Sequence, residues 1–195
     1  MSNQKIEQRC LEYSLADEMH EQARRSPQKL KDIALRMARL SVHDELTGLY
    51  NRRALGRVKA LLMKALGTGR INNIGIIVID LDGFKDVNDG PGGHAAGDRL
   101  LQDAACVFQA SVREKEDVFR TGGDEFTIVI PNESDKPIYE ILEERIKTIF
   151  DNRDKYVPGL HFSWGIAYVD SGKDIQVAID EADSVMFGNK RGKKR

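Results

Sequence analysis

The chain has 195 residues, 30 Lys or Arg against 31 Asp or Glu, so its formal charge is −1 and no basic surplus advertises a nucleic-acid or anionic-membrane partner. No apolar run approaches the roughly 18 residues of a membrane span, and the N-terminus lacks a signal-peptide core, so a cytoplasmic protein is expected. Cys10 and Cys106 stand far apart with no CxxC or neighbouring His cluster, which argues against a disulfide framework or structural zinc.

In chain order, residues 3–25 read as a polar, charge-rich helix with weak apolar spacing at Ile6, Cys10, Leu11, Leu15 and Met19. Ser26-Pro27 is a helix-start pair, N-cap then first helical position. Leu30, Ile33, Met37 and Leu40 follow at spacings of three, four and three, a short heptad seam suited to dimerisation. The chain divides near residue 42 into an N-terminal helical, coiled-coil-like dimerisation or regulatory segment (1–41) and a folded domain (42–195). In the domain the pattern predicts a helix from about Arg53 to Leu66 and a strand from Ile74 to Asp80. A helix from Ala96 to Arg113 follows, with Leu100, Leu101, Ala104, Ala105, Phe108 and Val112 on one side and Cys106 expected to be buried. Two strands flank Gly122-Gly123; a helix covers Pro137 to Phe150, a strand His161 to Val169, and a last helix Asp174 to Phe187. Strands separated by helices, with one hairpin among them, indicate an α/β or α+β sheet covered by helices.

Two elements carry chemistry. The β-branched run Ile76 to Ile79 ends in Asp80-Leu81-Asp82, and Gly122-Gly123 is followed by Asp124-Glu125 and a second strand-like run, Phe126 to Ile130. Glycines at a hairpin tip let backbone approach a bulky anion, and carboxylates placed there can hold Mg²⁺ or Mn²⁺. Two acidic strand ends able to share divalent metals are what nucleotidyl transfer requires.

Gly122 to Phe126 spells GGDEF, the name-giving motif of the diguanylate cyclases. Asp44 to Arg53 resembles the family's D-x-L-T-G-L-x-N-R-R, and Asp80 to Asp89 its D-x-D-x-F-K-x-x-N-D. Ser163 to Ala167 is similar to its S-x-G-x-A strand, and Ala182 to Lys190 to its closing A-D-x-x-x-Y-x-x-K helix. On these motifs the chain is identified as a member of that family. The resemblance implies a palm-like, ferredoxin-related nucleotidyl cyclase sheet. It further implies condensation of two GTP into the second messenger cyclic di-GMP, a signal of biofilm formation, by a homodimer holding one GTP per domain.

The same resemblance implies roles by residue. Asp80 and Asp124 are metal ligands, with the Leu81 carbonyl as a backbone ligand; Asp124 or Glu125 is the base for the 3′-hydroxyl. Period two puts Asp82 on the face of Asp80. Phe84 and Lys85 belong to the turn whose amides face the triphosphate, Lys85 with a part in the transition state, and Lys190 and Lys193 bind phosphates. Asn88 and Asp98 read guanine, whose adjacent N1–H and N2 amino groups suit a carboxylate. Arg113 and Glu116 match the R-x-x-D at which many members bind their product, so cyclic di-GMP is expected as a weak inhibitor. His94 is read as a helix-start residue.

The chain departs from pattern at three points. Asn88 to Asp98 is one residue longer than the usual N-D-x-x-G-H-x-x-G-D; Lys190-Arg191-Gly192-Lys193 is one residue shorter than K-x-x-G-R and ends in lysine; and Glu116 stands for aspartate. These departures keep open a second reading, a catalytically weak GTP- or cyclic di-GMP-binding module that signals through protein interaction.

Overall fold

The computed structural model describes residues 31–32, 41–170 and 172–193. The predicted helix over 3–25, Cys10 and the seam residues Leu30, Ile33, Met37 and Leu40 lie outside the described residues. The chain divides after Ser41 into two units, and the second, Val42–Arg195, carries the fold described below.

A two-residue strand β1 (Tyr50–Asn51) leads into α1 (Arg52–Gly67), whose N-cap Asn51 accepts the Ala54 amide through its side chain. Next come β2 (Asn73–Leu81), a short α2 (Phe84–Asp89) and α3 (Gly93–Ala110). The hairpin strands β3 (Asp117–Arg120) and β4 (Glu125–Asn132) precede α4 (Ile138–Tyr156), β5 (Phe162–Val169) and α5 (Ile175–Lys193). The five strands form one sheet in the order β1-β3-β4-β2-β5, antiparallel except for the β1–β3 pair.

An unbroken apolar run from Ile76 to Ile79, with Ile74 and Leu81 beside it, lets β2 serve two cores, because successive side chains face opposite sides of the sheet. Ile77, Ile79 and Leu81 join Leu101, Ala104 and Phe108 of α3 and Ile141 and Leu142 of α4. Ile74, Ile76 and Val78 join Ala54 and Leu55 of α1 and Ala178, Ala182 and Met186 of α5. Helices thus cover both faces, and the strand ends are left to carry polar residues. Phe108 locks the first core, its ring edge-on to Phe126 at 5.1 Å and to Phe162 at 5.7 Å.

Several elements differ from the sequence reading. β1 and α2 were not anticipated, α3 starts three residues before the predicted Ala96, and α4 and α5 each run six residues further, to Tyr156 and Lys193. Cys106 is exposed rather than buried, since it lies roughly 140° around α3 from Leu101 and so points away from the sheet.

A buried ion pair ties the start of β3 to α4. Glu116 Oε1 accepts from Arg145 Nη2 at 2.7 Å, Glu116 Oε2 accepts the Arg113 amide at 2.9 Å, and Arg145 Nη1 donates to the Ser111 carbonyl at 2.6 Å. The two side chains are only 5–6% exposed, and the buried Arg145 Nε finds no acceptor among the described residues. Removing one member strands a buried charge. Arg145→Ala is therefore expected to cost about 3–5 kcal/mol in urea unfolding, whereas Arg145→Met combined with Glu116→Leu costs far less. A loss below about 1 kcal/mol for Arg145→Ala would show that water reaches Glu116.

Candidate active site

The chemistry-bearing residues converge at one end of β2 and β4. Register sets Asp80 opposite Glu125, so both carboxylates stand on the α1/α5 side of the sheet, in line with Val78 and Thr127. The Leu81 amide donates to the Asp124 carbonyl at 3.1 Å, which fastens the end of β2 to the turn. From the other flank Lys190 of α5 forms an ion pair with Asp80 Oδ1. Asn189, its neighbour, donates to the Trp164 carbonyl at 2.9 Å and holds this part of α5 on β5.

The electrostatics follow from crowding. Burial raises the Asp80 carboxyl above its ordinary range, and Asp124 and Asp82 add to this against the contact with Lys190. Burial likewise raises Glu125, reinforced by Asp80, Asp124 and Asp183 and opposed by Arg52. Burial acts to lower Lys190, but its bond to Asp80 and the nearby Asp124 and Asp82 outweigh it and hold the ammonium charged.

A cavity of about 460 Å³ opens here, lined by Leu81, Asp82, Phe84, Lys85, Asp124 and Lys190 among others. It brings together six residues singled out from sequence, with Asp80 one contact behind Lys190. Asp82 is turned toward β5, accepting from Ser163 Oγ at 2.7 Å. Glu125 instead lines a second cavity of about 410 Å³, between α1 and α5, with Arg52, Lys59, Asp180 and Asp183. The two acids of the turn therefore face different spaces. Neither turn glycine takes a positive φ. Gly122 is needed for another reason: a Cβ there would stand 2.4 Å from Glu125 Oε2.

Asn88 on α2 and Asp98 on α3 lie at the packing of these two helices. A Cβ at Gly97 would fall 2.0 Å from Asn88 Oδ1, so the bare glycine is the seat of the Asn88 amide, one residue from Asp98. The extra residue of this loop is taken up in tight turns, Gly93 donating to Gly90 and Ala96 to Gly92. His94 lies in the first turn of α3. Lys193 closes the backbone of α5, and its side chain is outside the described residues. Arg113 and Glu116 sit before β3, at the strand end remote from the turn, beside a separate cavity of about 320 Å³. Glu116 is committed to Arg145 there, and Arg113 lies 3.8 Å from Glu144.

One functional residue escaped the sequence reading. Arg120 donates to the Gly123 carbonyl from Nε and Nη2, at 3.1 and 2.7 Å, and to Asp44 Oδ1 from Nη1 at 2.9 Å. Asp44 Oδ1 also accepts from the amide and hydroxyl of Thr47, at 2.9 and 2.7 Å. This clamp fixes the glycine turn to the loop before β1. The Asp-x-x-Thr spacing is a turn signal, and it could have pointed to Asp44 as an acceptor in want of a cation.

Among the described residues no three His, Cys, Asp or Glu side chains form a ready-made metal cage. The donors on offer are two carboxylates and the Leu81 carbonyl, with a cation already drawn to Asp80. Such an open set of hard oxygens fits a small hard divalent cation, which keeps waters and shares phosphate oxygens with a substrate.

The pattern of one protein family, described as "Diguanylate cyclase, GGDEF domain", matches residues 41–195. The chain is 33% identical over 158 residues to the diguanylate cyclase DosC of Escherichia coli K12, covering 78% of this chain and 34% of that protein. It is 34% identical over 163 residues to the cyclic di-GMP phosphodiesterase PdeR of the same organism, covering 80% of this chain and 24% of PdeR. The chain thus spans about a third or less of the curated relatives it matches. Its fold is shared with the coiled coil and GGDEF domain of DgcB from Caulobacter crescentus, solved in complex with c-di-GMP. That likeness has a TM-score of 0.73 at 24% identity and covers 93% of this chain and 95% of that one.

Burial acts to raise the Asp44 carboxyl, but the bonds from Thr47 and Arg120 outweigh it and hold the group low. The stability it lends is present above the unfolded value near 3.8 and is lost as pH falls through the lower folded value. Arg120→Met should cost about 1–3 kcal/mol at neutral pH and weaken that acid dependence. It should also speed hydrogen exchange at the amides of residues 122–124, and unchanged exchange there would show that Arg120 does not hold the turn.

Proposed function

The chain belongs to the GGDEF-domain family of diguanylate cyclases, and we propose that it condenses two GTP into cyclic di-GMP with release of two pyrophosphates. The observation that carries this reading is the cavity shared by Asp124, Lys85, Lys190 and the Leu81 end of β2, beside Asp80. Each 3′-oxygen forms a bond to the α-phosphorus of the other nucleotide as the bond from that phosphorus to the pyrophosphate oxygen breaks. Positioning and charge neutralisation dominate such a transfer.

Asp80, Asp124 and the Leu81 carbonyl would hold the metal, which would supply charge stabilisation and acidify the attacking hydroxyl. Lys85 and Lys190 bind the phosphates and take up charge on the departing pyrophosphate, with Lys193 extending the grip. The amides around Gly83 and Phe84 meet the triphosphate. Asn88 and Asp98 accept from the guanine edge, where adenine would leave them facing a lone pair. Asp124, which lines this cavity, or Glu125, which burial and acidic neighbours raise but which faces the adjoining space, takes the proton.

Attack by one nucleotide on another requires two domains face to face, and the seam at Leu30 to Leu40 is the means of pairing them. Product inhibition through Arg113 and Glu116 is weak on this reading, because both Glu116 oxygens are already engaged. The similarity to PdeR, named a phosphodiesterase, favours keeping the second reading, a nucleotide-responsive module without turnover.

Purified protein incubated with GTP and Mg²⁺ should yield cyclic di-GMP, identified by mass. Asp80→Ala and Asp124→Ala should each lower turnover by about 100-fold or more while leaving the fold intact, the lost stabilisation being worth several kcal/mol. ATP should react at least about 100-fold more slowly than GTP. No product under any metal, with GTP still bound, would establish the module reading instead. Arg113→Ala should remove whatever inhibition cyclic di-GMP exerts without changing the initial rate.

A further inference from the structure

Lys190 occupies a peculiar position. It lines the cavity assigned above to the triphosphate, yet its ammonium rests on Asp80, the carboxylate assigned to the metal. A divalent cation bound at Asp80 would compete with that ammonium for the same carboxylate. Its backbone is held by α5, with Asn189 bonded to β5. The four-carbon stem above that anchor is flexible, and its head is a compact point charge able to exchange one anion for another. Asp80, Asp124 and Asp82 all bear on that head, so repulsion among them is relieved by Lys190 when no other cation is near.

We infer that Lys190 is a placeholder cation: it neutralises Asp80 in the empty site, and it yields Asp80 to a divalent metal once a triphosphate offers it a second anion. The inference rests on the functional reading above and adds an order to it. Without nucleotide, metal must compete with an ion pair already made. With nucleotide, Lys190 moves to phosphate and the competition ends. Metal and nucleotide therefore raise each other's affinity through one side chain, and the coupling is the same read from either ligand. A neutral residue at 190 would uncouple them, gaining metal affinity in the empty site while losing grip on the nucleotide.

The test is Mn²⁺ binding, followed by the paramagnetic resonance signal of the free ion, on the full chain with and without a non-hydrolysable GTP analogue. In the absence of nucleotide, Lys190→Met and Lys190→Gln should bind Mn²⁺ roughly 5- to 10-fold more tightly than wild type, the scale of one partly buried ion pair. The gain in Mn²⁺ affinity that the analogue confers on wild type should shrink by the same factor in both variants. Lys85→Met removes a neighbouring charge that does not touch Asp80 and should give less than half that effect on a logarithmic scale. An equal effect would overturn the placeholder in favour of a general field. Asp80→Asn separates the two levels of the argument. If it abolishes Mn²⁺ binding while Lys190→Met binds no better than wild type, the placeholder is wrong and the metal site stands. If Asp80→Asn binds like wild type, the metal assignment itself falls and the placeholder with it.

Discussion

Asp80, Asp124 and Glu125 crowd one end of a sheet whose two central strands are otherwise nearly all apolar, and their mutual repulsion is what the surrounding elements have to balance. The strands cannot supply the cations themselves, because their remaining positions are committed to the two cores. Positive charge arrives from outside the sheet: Lys190 from α5, Arg52 from α1, Lys85 from α2. Each helix thus has a second task besides covering apolar surface. The folded arrangement holds its acids apart by aiming Asp124 and Glu125 into different spaces, and the bare Gly122 makes room for the second of them.

Rigidity and freedom are distributed accordingly. The turn is pinned through Arg120 to Asp44 and through the Leu81 amide to Asp124, so the carboxylates are presented on fixed backbone. The balancing cations are long and pliable side chains. Binding energy can then be spent on moving ammonium groups rather than on rebuilding the sheet, which keeps the donor geometry preorganised.

What could be read from sequence follows the range of the forces involved. β2 was legible because a run of Ile and Val has few alternatives to a buried strand, and the acidic ends of β2 and β4 stood out against it. The α2 helix was hidden because its six residues carry no periodicity of their own and it is stabilised by packing on α3. β1 is two residues long and exists by pairing with β3, 69 positions away in register. The Arg145–Glu116 and Arg120–Asp44 pairs join residues 29 and 76 apart, and no local pattern links one partner to the other. Lys190 was legible only through the closing motif, because the predicted helix stopped at Phe187 and α5 in fact continues through it. Cys106 misled because residue type outweighed angle around the helix.

The seat of Asn88 on Gly97 has an evolutionary reach. One added methyl group at Gly97 would meet the Asn88 amide at 2.0 Å and the Phe84 ring, at the rim of the first core, at 3.2 Å. The proposed base-reading residue and most of the architecture are therefore separated by a single carbon atom. On the base-reading role proposed for Asn88, a lineage could silence the pocket by one substitution and keep a folded body for other duties.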